Sequence, residues 1–167
     1  MKCHHNISLL RAEVPLLIAL SVLSPLLICA QWPFGAPTTP DAQRNALNAV
    51  RMQVKWLQNS TRTAVNFVGA QGYGNVRQQF DGLRGAYNGL KQTLNPQQLA
   101  YGANDLAEFD AGLDILQEAF SNFEEDTAAG QPVASALRNM CQVLRQGSAL
   151  WLQELNKKAA PLRIGWG

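Results

Sequence analysis

The segment VRQQFDGLRGAYNGLKQTL, residues 76–94, carries the reading of the fold. Its apolar side chains fall at Val76, Phe80, Leu83, Tyr87, Leu90 and Leu94, with alternating steps of four and three. That spacing returns to one side of a 3.6-residue helix. A strand would need strict alternation.

The same seam recurs on either side. Upstream, Leu47, Val50, Val54, Leu57, Thr61, Ala64 and Val68 trace a helix that opens at Thr39-Pro40-Asp41. There a hydroxyl caps, a proline fits the first helical position and an acid meets the positive end of the dipole. Gly69, Gly72 and Gly74 predict the end of that helix and a loop through Tyr73. Downstream, Asn95-Pro96 stops one helix and caps the next, which runs to about Asp126 through Leu99, Gly102, Leu106, Phe109, Leu113, Leu116, Phe120 and Phe123. A break is expected near Gly102–Asn104, with Asp105 and Glu108 as a fresh capping pair. After Ala129-Gly130-Gln131-Pro132 a last helix carries Val133, Leu137, Met140, Leu144, Ser148, Trp151 and Leu155, and ends near Lys157-Lys158. Pro161 bars its continuation.

Four seams with short connections predict an all-α fold, an up-down-up-down four-helix bundle over residues 41–160. Residues 31–40, with three prolines and a glycine, predict an extended lead-in, and 161–167 a short tail. Ahead of them lies a secretory pattern in 1–30: Lys2 and Arg11, an apolar run from Val14 to Ala30, and Ile28-Cys29-Ala30 before Gln31. The expected product is secreted or periplasmic, with no stable membrane span once the leader is cleaved. Retention as an anchor and lipidation at Cys29 stay open as alternatives.

Cleavage would remove His4, His5, Cys3 and Cys29, leaving Cys141 as the one thiol. Cys141 between Met140 and Gln142 reads as a small buried hydrophobe. Without histidine, the usual activation of a serine or cysteine nucleophile is missing, as are haem attachment, Cys/His zinc and the Glu-x-x-His di-iron pattern. No enzyme activity is expected, and no residue is assigned as catalytic, cofactor-binding or metal-ligating; no cofactor is expected. A net charge of +2 lacks the sustained basic field of a nucleic-acid binder.

Charge is sorted by helix. Residues 42–91 hold seven bases against Asp81, residues 92–137 only acids, and the last stretch turns basic again. An acidic helix between two basic ones specifies antiparallel neighbours; the rival reading is a dipolar outer surface. Asp110, Asp114 and Glu118, four residues apart, read as a solvated face, with a hard cation such as calcium as the rival. Gly82, Gly85 and Gly89 ask for a reason in a helix interior: close approach of another helix backbone, or a groove that admits a partner helix or an apolar ligand. Trp32, Phe34 and Trp166 lie off the seams, as ends folded onto the bundle or offered to a partner or a membrane surface. Asn59-Ser60-Thr61 matches a glycosylation acceptor inside a helix.

These features lead to an exported, non-enzymatic helical protein acting through contact with another protein. The alternative is a carrier or sensor of an apolar small molecule, with Phe80, Tyr87, Phe109, Phe120 and Trp151 lining the space.

Overall fold

The computed structural model describes residues 38–66 and 70–166. The leader, Trp32, Phe34, Val68 and Gly69 lie outside them. Among the described residues all regular structure is helical: α1 (Pro40–Ala64), α2 (Ala70–Thr93), α3 (Pro96–Tyr101), α4 (Ala103–Ala128) and α5 (Val133–Ala159).

The helix ends follow local chemistry. Thr39 accepts a hydrogen bond from the Ala42 amide at 3.2 Å, with Pro40 in the first turn. Asn95 and Gln98 form a reciprocal capping box at α3, each side chain taking the other's backbone N–H at 2.8 and 2.9 Å. After α4, Gly130 takes φ 87°, and Gln131 donates back to the Asp126 carbonyl at 2.9 Å. This left-handed closure favours glycine.

Two expectations are corrected. Gly72, Tyr73 and Gly74 do not form a loop; they belong to the first turns of α2. Tyr73 holds that stretch in place, stacking on Phe123 at 4.9 Å and donating its hydroxyl to Glu124 at 2.6 Å. The break at Gly102 is present, but Asp105 and Glu108 do not cap α4, whose N-cap is Gly102 without a side-chain bond. Gly102 donates to the Gln98 carbonyl while Leu106 donates to that of Gly102, so the backbone ladder runs on across the break and needs no new cap.

The seams become the core. All six seam residues of the 76–94 segment are buried, and across the seams Leu57, Leu83 and Leu144 are fully so. Each such side chain contributes about 1.5–3 kcal/mol of burial. Leu99 and Val133, near the ends of their seams, stay exposed. Helix α1 packs against α2 and α5, and α4 against α5. Helices α2 and α4 meet through aromatic rings: Phe80–Phe120 at 5.3 Å and Tyr87–Phe109 at 6.4 Å. Three ion pairs tie the acidic α4 to its basic neighbours, Lys91–Asp110 (2.7 Å), Arg84–Asp114 (3.2 Å) and Lys158–Asp105 (2.7 Å).

The stretch after α5 joins this core. Leu162 and Ile164 are buried, and the chain turns through Arg163 at φ 52° and Gly165 at φ 75°. A side chain on Gly165 would also run into Arg44. Gln43, polar but on the buried side of α1, is the anchor. Its amide donates to the Thr93 carbonyl (2.9 Å) and to Gln98 (2.7 Å), and its Oε1 accepts from the Gly165 amide (2.9 Å).

Candidate functional site

Most side chains singled out as possible sites are engaged in structure. Asp110 and Asp114 are held by Lys91 and Arg84 of α2, and Glu118 is exposed. Among the described residues no three His, Cys, Asp or Glu side chains converge as a metal site would require. Cys141 is buried, and burial pushes its thiol up to about 11, away from the reactive thiolate. Burial, with the Asp110 charge in second place, also raises the Tyr87 hydroxyl. The five aromatics offered as a ligand lining pack on one another instead. Trp151 meets Tyr87 edge-on at 5.2 Å and Phe109 at 5.8 Å, and its indole N–H donates to the Phe109 carbonyl at 3.0 Å.

The glycines of α2 do not mark a close helix approach. A Cβ on Gly85 or Gly89 would meet nothing within 4 Å, and one on Gly82 would meet only the Gln53 carboxamide. The tight approach lies between α4 and α5, where Trp151 Cδ1 comes 2.9 Å from a Cβ position on Gly112, and Leu116 fills the space beside Gly147.

Beside those two glycines runs a shallow apolar groove of about 320 Å³. Phe109, Leu116 and Trp151 border it from the core, and Ile115 and Leu150 stand beside it, 63% and 64% exposed. Glu108 and Glu154 mark one end. Glu154 pairs with Lys157 at 2.6 Å, whereas Glu108 has no ion pair among the described residues. Ile115 and Leu150 sit off the core seams, and that displacement is the sequence signal for this surface.

A second groove of about 630 Å³ runs between α1 and α2 and is lined without a single charge. Gln53, Asn59, Ser60, Thr63, Gln78 and Gln79 supply amides and hydroxyls, with Trp56 and Gly82 beside them. Trp56 is 47% exposed, and Gln53 Oε1 is covered yet has no hydrogen-bond partner among the described residues. A third hollow, at the α3 end, is bordered by Tyr101 and Trp166, both largely exposed. The backbone around Trp166 folds back, but its indole does not enter the core.

No helix among the described residues is long and apolar enough to cross a membrane. Compared with known proteins, the chain matches no family model, no curated protein and no solved structure.

Proposed function

We propose that the chain is an exported, non-enzymatic four-helix up-down bundle that acts by binding a helix of another protein in the α4–α5 groove. The observation that carries this reading is the pair Ile115 and Leu150, two large apolar side chains, one from α4 and one from α5, exposed at the same groove. Exposed apolar surface rimmed by polar groups marks contact sites. The unpaired carboxylate of Glu108 at the groove's end favours a partner helix with apolar side chains at one-turn spacing and a lysine or arginine near its end. Export rests on the leader pattern of residues 1–30, and the bundle topology on the four seams joined by short turns. The carrier reading has less support, since its five aromatics pack on one another and do not together line one space, Phe109 and Trp151 alone of the five bordering the α4–α5 groove.

A photo-crosslinking residue in place of Ile115, in the source cells, tests the contact. The expected product is one discrete adduct with a different protein, mapping to an amphipathic basic helix and lost on Glu108→Lys. Adducts with a second copy alone, no adduct, or an adduct indifferent to Glu108→Lys would each overturn it.

A further inference from the structure

We propose that the α1–α2 groove is a binding site for a neutral saccharide, independent of the α4–α5 contact. Apart from the Trp56 indole N–H, the side-chain polar groups lining it are amides and hydroxyls, able to donate and accept at neighbouring points. Sugar hydroxyls do the same, so each finds a partner of either sense. The lining offers no guanidinium or ammonium to neutralise a phosphate or carboxylate, and no carboxylate to hold an amine. An ionic ligand would therefore lose its hydration without a counter-charge.

Trp56 supplies the flat apolar surface. It is 47% exposed and lines the groove, so about half of its surface is free to meet the C–H side of a pyranose ring. Such a residue lowers stability little by being covered or uncovered, which suits a platform for a reversible ligand.

Gln53 provides the adjustable contact. Its carboxamide rests over Gly82, where a Cβ would come 2.8 Å from Oε1, so the missing side chain at residue 82 creates its seat. In that seat Oε1 accepts no hydrogen bond among the described residues. An unpaired covered acceptor is a standing cost to the free protein. Swinging outward to a ligand hydroxyl breaks no bond at that oxygen and makes one.

Titration of the chain lacking residues 1–30, if secretion yields that form, or of the full chain otherwise, tests the site. The probes are cellotetraose, maltotetraose and tetra-N-acetylchitotetraose, with a heparin tetrasaccharide as the anionic counterpart. At least one neutral probe should change Trp56 fluorescence saturably, and Trp56→Ala should weaken its binding, read by calorimetry, about tenfold. Gln79→Ala should weaken it too, while circular dichroism of both variants stays unchanged. Binding that survives Trp56→Ala, preference for heparin, or no saturable binding of any neutral probe at millimolar concentration would overturn the assignment.

Discussion

Between α1 and α2 the groove is walled by amides around a half-exposed tryptophan; between α4 and α5 it is walled by hydrocarbon above a buried one. Both contain glycine, yet the glycines act differently. Gly82 makes room for a long polar side chain with freedom to leave, whereas Gly112 and Gly147 make room for Trp151 and Leu116, which are part of the core. One groove can rearrange without disturbing the packing beneath it. The other is an outer edge of that packing, so whatever binds there meets a stiff surface.

The two tryptophans give the sharpest test. Trp151→Ala removes an indole that touches Tyr87 and Phe109 and hydrogen-bonds the α4 backbone. It should cost about 3–5 kcal/mol in urea unfolding. Trp56→Ala should cost under about 1 kcal/mol. Comparable losses from both would break the distinction.

Alkaline pH probes the stiff side next. The folded Cys141 thiol titrates near 11 against an ordinary value of 9.0, so it holds its proton longer than the unfolded chain does. Its contribution is complete below pH 9 and is lost as pH rises towards 11, because the unfolded state deprotonates first. The loss should approach about 2–3 kcal/mol across that window. Tyr87, shifted in the same direction by burial, extends the decline to higher pH. Urea midpoints at about pH 8 and about pH 10.5 measure it, and Cys141→Ala should flatten the slope. A slope unchanged by that substitution would place the alkaline weakness elsewhere.

The smallest effects compare the glycines directly. Gly82→Ala displaces only the end of Gln53 and gains helix propensity, for a net stabilisation of about 0.5 kcal/mol. Gly147→Ala forces buried Leu116 aside and should destabilise by about 1 kcal/mol despite the same gain. Thermal unfolding of the two variants reads the sign of each. Identical signs would show that the α4–α5 edge yields as readily as the α1–α2 groove.

Much of the helical core was legible from residue spacing, because a seam is a local property. Leu47 to Ala64 and Val76 to Leu94 are buried as their spacing predicts, and Thr39 and Asn95 cap as their chemistry predicts. What escaped depends on which helices become neighbours. The importance of Gly112 over Gly85 follows from the path of Trp151, a residue 39 positions away whose orientation periodicity does not encode. The stretch beyond Pro161 reads as a tail because proline ends helices, yet Leu162 and Ile164 are buried along with the seam residues. Gln43 held the available hint: a polar residue one turn before Leu47, on the inner side, needs partners from elsewhere in the chain.

That glutamine also sets an order of events during synthesis. Gln43 lies in the first turn of α1, and its oxygen accepts both from the Gln98 side chain and from the Gly165 amide, the latter 122 residues later. While the chain is still emerging from a ribosome, α1 and α2 can meet, but the polar knot between them lacks its final donor. The closing bond waits until Gly165 has been made, so a nascent chain arrested before it lacks this donor to α1.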